Sequence, residues 1–202
     1  MQLIYNEENI LLENSLESID VILNKVNKIL ENSGKVFSHL VINQVEVYEN
    51  HEQYIRERIS EIETIKIITT TMNEMIWNTM KSVHQYLVRA IPALNTLVDE
   101  SYNNFTSETW NGINQLAEGM QWILQFKEVA NAAVKQPTNW SKVEENLKVC
   151  EEKFAELLAA VEVKDTILIS DILSYELVPV FELIKENLEI ALKDEVFLQD
   201  VN

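Results

Sequence analysis

From Thr71 almost to its end, the chain repeats apolar residues at intervals of three and four, the spacing of side chains that share one face of an α-helix. Ile76, Met80, Val83, Leu87, Ile91, Leu94 and Val98 form the first stripe. Thr71-Met72-Asn73-Glu74 opens it as a capping box, in which hydroxyl and carboxylate satisfy each other's orphan backbone donors. Asn103-Asn104 breaks the pattern, and Thr106 or Ser107 caps a second helix carrying Trp110, Ile113, Ala117, Met120 and Leu124, which ends near Val134. Lys135-Gln136-Pro137-Thr138-Asn139 reads as a loop. Ser141-Lys142-Val143-Glu144 reads as a second capping box, before a helix with Val143, Leu147, Cys150, Phe154, Leu157 and Val161 inward. Asp165 caps a last helix with Ile169, Ile172, Leu173, Leu177, Val180, Phe181, Ile184, Leu188 and Leu192 inward. Four long helices joined by short turns predict an antiparallel up-and-down four-helix bundle over residues 71–194, with a loosely ordered tail over 195–202.

The first seventy residues change period. Gln2-Leu3-Ile4-Tyr5 reads as a short strand, and Asn6 as the N-cap of a helix whose Leu12, Leu16, Ile19, Leu23, Val26 and Leu30 point inward as far as a stop at Gly34. Residues 36–42 alternate as a strand, Asn43-Gln44 turns the chain, and Val45 and Val47 return it as a hairpin. Asn50 begins a short helix with Tyr54, Ile55, Ile59 and Ile62 inward. In Thr64–Thr71 seven of eight residues are β-branched, and their stiff χ1 angles favour a pleated strand. The order β-α-β-β-α-β is that of ferredoxin-like domains. The expected class is therefore α+β, predominantly helical: a small α+β domain over 1–70, followed by the bundle.

Composition limits what such a fold can do. Sixteen Lys and Arg against thirty-three Asp and Glu give a net charge of −17 over 202 residues. The densest basic stretches, Lys25/Lys28 and Arg56/Arg58, are interleaved with Glu. This surface repels phosphate backbones and anionic lipid, so neither nucleic acid nor membrane is an expected partner. Residues 165–202 hold nine acids and two lysines, an end that a basic partner could read. The start lacks the positive region of a signal peptide, and no 18-residue apolar window occurs. With a single cysteine, these features predict a reducing cytoplasm. Abundant Ile, Asn, Lys and Glu fit an AT-rich bacterial genome.

Catalytic constellations are scarce. His39, His51 and His84 sit in no ligand motif, so no metal is expected. His39 is expected within the sheet layer, and His51 and His84 facing water. Cys150 lies on an apolar stripe as a small core side chain. Glycine occurs only at 34, 112 and 119, which leaves no phosphate-cradling loop, and no cofactor is expected. Gly112 and Gly119 lie seven apart on one helical face, where missing side chains permit close helix approach or admit an aromatic ring. Pro92 and Pro179 interrupt the first and fourth bundle helices in similar contexts, each just after a Tyr, as a matched pair of kinks would. Asp171 and Glu176 interrupt the most apolar helix; a buried Glu176 would be a candidate acid or base, and Glu118 beside Gly119 has the same standing.

These readings favour a non-catalytic cytoplasmic interaction module, an adaptor or chaperone-like protein. Its bundle would present an acid-rimmed apolar groove to a partner helix or to a second copy of itself. Trp77, Tyr86, Trp110, Trp122, Tyr175 and Glu176 are the candidate groove or pocket residues. The alternative is a small-molecule-binding or hydrolytic bundle working through a buried carboxylate near Glu176; an enclosed cavity lined by Glu176, Tyr175 and tryptophans would favour it.

Overall fold

The β-branched run becomes the strand on which the N-terminal sheet is assembled. The computed structural model describes residues 1–198, and its contacts divide the chain into two units, Met1–Met75 and Ile76–Asn202. The fold is α+β and mostly helical. In the first unit β1 (Gln2–Tyr5), β2 (Glu8–Leu11), β3 (Val36–Ile42), β4 (Val45–Val47) and β5 (Thr64–Thr70) form one sheet in the order β2-β1-β5-β3-β4. β5 runs parallel to β1 and antiparallel to β3. Its Ile65 pairs with Leu3 on one side and Ile42 on the other, and all three are buried.

This order is not the ferredoxin-like one, in which the last strand lies at an edge; here β5 lies in the middle, between β1 and β3. The physical reason is an extra strand. Asn6 does not cap a helix but sits at φ 50°, a left-handed conformation that asparagine tolerates, and turns the chain from β1 into β2. One edge of β1 is thereby occupied, leaving the other for β5. The helix expected from Asn6 begins instead at Glu17, as α1 (Glu17–Ser33). Its inward face is Ile19, Ile22, Val26 and Ile29, while Leu16 is exposed and Leu12, Leu23 and Leu30 only flank the core. Gly34 ends it at φ 62°, as the sequence predicts.

The β3–β4 hairpin turns through Asn43 (φ 46°) and Gln44 (φ 70°), both left-handed, as a two-residue hairpin requires. Asn43 does more than turn the chain: its Oδ1 accepts from the backbone N–H groups of Glu63 and Thr64, and its Nδ2 donates to the Glu61 carbonyl. α2 (His51–Arg58) follows with Ile55 buried. His51 is half-buried rather than facing water; its Nε2 lies 2.9 Å from the Val47 carbonyl and its ring meets the edge of Phe37. His39 stacks on Tyr48, with ring centroids 4.5 Å apart.

The capping box forms at the entry to α3 (Met72–Asn103): the Thr71 N–H donates to Glu74 Oε2, and the Glu74 N–H to Thr71 Oγ1. Every residue of the first stripe is buried. α4 (Ser107–Ala132) is capped by Thr106, and α5 (Trp140–Glu162) follows the loop. The second capping box does not form. α5 begins ahead of Ser141; Asn139, left-handed at φ 63°, precedes it without a side-chain cap, its Nδ2 donating to Asn187, and Glu144 accepts from Asn131 Nδ2 at 2.9 Å. Asn131 Oδ1 in turn accepts from the indole N–H of Trp140, which is 2% exposed and meets Phe126 edge-on.

Asp165 caps α6 (Thr166–Asp171), which continues through a π-helical turn, Ile172–Leu177, into α7 (Val178–Ala191). The Val178 N–H reaches back five residues to the Leu173 carbonyl. Pro179 follows in the first turn of α7, where a missing N–H costs least. Pro92 instead lies inside α3 on its exposed side. The two prolines are thus handled differently and do not form a matched pair. α5 packs along α6, the π turn and α7, and also meets α4. The expected loose tail is described only to residue 198; there a 3-10 turn, Glu195–Leu198, buries Phe197, and the Lys135 ammonium donates to the carbonyls of Val196 and Phe197. Residues 199–202 lie outside the described residues. Among the described residues no helix is long and apolar enough to cross a membrane.

Candidate functional site

Two of the open depressions on the helical unit are lined by leucines and alanines. The wider, of about 660 Å³, runs between α4 and α5. Ala117, Leu124, Phe154, Ala155 and Leu158 make it apolar, Gln121 and Gln125 edge it, and Glu118, Glu128 and Glu151 rim it. These residues follow the three-and-four spacing of their helices but sit beside the core stripes of Ile113, Leu116, Met120 and Ile123 on α4 and of Leu147, Cys150 and Leu157 on α5. Apolar character therefore spills over the edge of each buried face, and Leu158 remains 42% exposed.

Lys127 organises the acidic rim. Its side chain is only 11% exposed, and its ammonium lies 2.5 Å from Glu151 Oε2 and 3.4 Å from Glu128 Oε1. The bond to Glu151 holds its pKa above the usual lysine value, against the opposing effect of burial. Cys150, next to Glu151 in the chain, is fully buried with its Sγ 3.7 Å from Met120 Sδ. Burial pushes the thiol up to about 12, so it has no thiolate chemistry near neutrality.

The second depression, of about 400 Å³, lies between α3 and α4 and is lined by Tyr86, Arg89, Ala90, Leu94, Leu97, Gly112, Gln115 and Leu116, among others. Both glycines of α4 help to shape this face. A Cβ on Gly112 would lie 2.9 Å from Leu97 Cδ1, and one on Gly119 would lie 2.5 Å from Tyr86 Cζ. Tyr86 then meets Trp122 edge-on with centroids 6.1 Å apart, and burial raises the pKa of its hydroxyl.

Of the six residues singled out from the sequence, only Tyr86 and Trp122 come together. Trp110 packs on Phe105 at 5.0 Å, and Trp77 is half-buried. Tyr175 is 69% exposed on the π turn. Beside it Tyr102 donates a 2.8 Å hydrogen bond to Asp171, which pushes the Tyr102 pKa up to about 12. Glu176 is exposed, so the buried carboxylate required by the hydrolytic alternative is absent at that position. It lines neither depression, and both depressions are open rather than enclosed. Sequence reasoning missed Glu128, Glu151, Phe154 and Leu158 as groove residues because it assigned each helix one inward stripe. The signal that could have found them is the second, adjacent row of Leu and Ala on α4 and α5. Among the described residues no group of three or more His, Cys, Asp or Glu side chains could hold a metal ion.

No curated protein and no solved structure matches the chain. A family model described as a domain of unknown function, DUF8042, matches residues 78–187, from the first turns of α3 to the last turns of α7. That span is more than half of the 202 residues, and the chain belongs to this family.

Proposed function

We propose that the helical unit is an antiparallel four-helix bundle serving as a non-catalytic interaction module, adaptor or chaperone-like, in a reducing cytoplasm. It takes a partner's amphipathic helix, or a second copy of the chain, into the groove between α4 and α5. The observation that carries this reading is the coincidence, in one open groove of about 660 Å³, of an apolar floor and three rim carboxylates. An amphipathic helix with basic flanks has the matching pattern, and its apolar face would cover Leu124, Phe154 and Leu158. The net charge of −17 favours a basic partner over an acidic one at the encounter stage.

The test uses the full chain and an Ala155→Lys variant. Ala155 is exposed, so the substitution charges the groove without disturbing the core. Affinity capture from source-cell lysate is expected to recover a partner on the wild type and not on the variant, and light scattering separates a second copy from a foreign one. Repeated recovery of nothing by the wild type, together with a monomer in solution, would overturn the reading.

A further inference from the structure

The depression between α3 and α4 shares no lining residue with the groove and has different chemistry. Its walls are free of carboxylates in a strongly acidic chain. No Asp or Glu occurs between Glu74 and Asp99 on α3, nor between Glu108 and Glu118 on α4. Arg89 stands at this place. The other two arginines, Arg56 and Arg58, each hold a glutamate. Among the described residues Arg89 has no carboxylate within salt-bridge distance, and its Nε makes only a long bond, 3.3 Å, to the Gln85 carbonyl of its own helix. The Tyr86 hydroxyl, lodged over Gly119, likewise has no hydrogen-bond partner among the described residues. The rest of the lining is chiefly Ala, Leu and Gly.

We propose that this pocket binds a small monocarboxylate with a hydrocarbon tail, its carboxylate held by Arg89 and the Tyr86 hydroxyl and its tail laid along Leu94 and Leu97. A guanidinium presents a planar fork of donors that fits a carboxylate, and a phenol adds one more. The volume of about 400 Å³ is at the small end of the range of about 300–1,000 Å³ typical of ligand pockets, which suits a medium-length chain rather than a full lipid. The net negative charge does not prevent this. At physiological salt, fields from exposed charges fade within roughly 8 Å, and the pocket's own walls are neutral or basic.

Octanoate and octan-1-ol, the same chain with and without the charge, are titrated into the wild-type chain, Arg89→Gln and Ala93→Phe by calorimetry, with helicity checked by circular dichroism. Arg89 and Ala93 are both exposed and Ala93 lines the pocket, so neither change touches the core. The expected result is that octanoate binds the wild type, that Arg89→Gln weakens it tenfold or more while leaving octan-1-ol unchanged, and that Ala93→Phe abolishes both. No octanoate binding to the wild type would overturn the proposal. So would equal effects of Arg89→Gln on acid and alcohol, or binding that survives Ala93→Phe. Binding to phosphatidylglycerol vesicles but not to monomeric octanoate would assign the face to a lipid surface and overturn it as well.

Discussion

Tyr86 of α3 occupies the space that a side chain at position 119 of α4 would fill: a Cβ on Gly119 would lie 2.5 Å from Tyr86 Cζ. The glycine is there for its missing methyl group and not for its backbone, since its φ is not in the left-handed range. Two helices are keyed to each other by one ring and one absence.

The key can be tested by its sign. Gly119→Ala should destabilise the wild type by about 1–3 kcal/mol, the usual cost of overpacking. In a Tyr86→Ala background the same change should stabilise by up to about 1 kcal/mol, because alanine is the better helix former. Urea unfolding of the four proteins measures the coupling. Equal effects in both backgrounds would show that ring and glycine are independent.

Asn131 joins Trp140 to Glu144 by accepting from the indole and donating to the carboxylate. Asn131→Asp keeps the acceptor for Trp140 but sets two carboxylates against each other, and a loss of about 1–3 kcal/mol is expected. Adding Glu144→Gln puts a donor opposite the introduced carboxylate, so the double variant should recover most of that loss. Thermal or urea unfolding reads both, and a double variant no better than the single one would refute the bridge.

The Lys127–Glu151 pair predicts both a mutational and a pH effect. Glu151→Gln removes the closest partner of a largely buried ammonium and should cost about 1–2 kcal/mol after allowance for the half-exposed carboxylate. Lys127 has its folded pKa raised above the lysine value of 10.5. Its contribution is therefore complete below that unfolded value and is lost as pH climbs through the higher folded one. The stability difference between wild type and Lys127→Met should be flat from pH 6 to 9 and shrink above about pH 10.5. A difference that already varies around neutrality would point to another group.

With its pKa pushed up to about 12 and no exposure, the Cys150 thiol should resist a maleimide or disulfide reagent at pH 8 in the native protein and react promptly in urea. Labelling of the native chain at the unfolded rate would mean that α5 is not seated on the core as described.

The helical half was legible because its signal is redundant. Ile76, Met80, Val83, Leu87, Ile91, Leu94 and Val98 keep one period across seven residues, and each is buried. The first strand, Gln2–Tyr5, stands where the sequence places it, but the start of the first helix was misread and β2 missed, because two rules competed at Asn6. The residue is a good N-cap and an equally good left-handed turn, and only the pairing of Leu3 with Ile10 decides between them. Similarly, Ser141-x-x-Glu144 satisfies the capping pattern, yet α5 begins ahead of Ser141, and the glutamate accepts from Asn131, thirteen residues earlier in the chain. In both places the structure holds long-range partners that a local pattern does not contain. None of the six candidate residues lines the depression between α4 and α5, since aromatic residues drew attention away from the leucines and alanines beside the core stripes.

The place of β5 at the middle of the sheet bears on how the first unit is made during synthesis. Until Thr64–Thr70 leaves the ribosome, the strands before it are two hairpins with no common neighbour, β1 with β2 and β3 with β4. Isolated hairpins are marginal in water. The nascent N-terminal segment therefore waits, with two unpaired strand edges, for a keystone encoded more than sixty residues after its first strand. Any delay of translation just before that point lengthens the interval in which those edges can pair with something else.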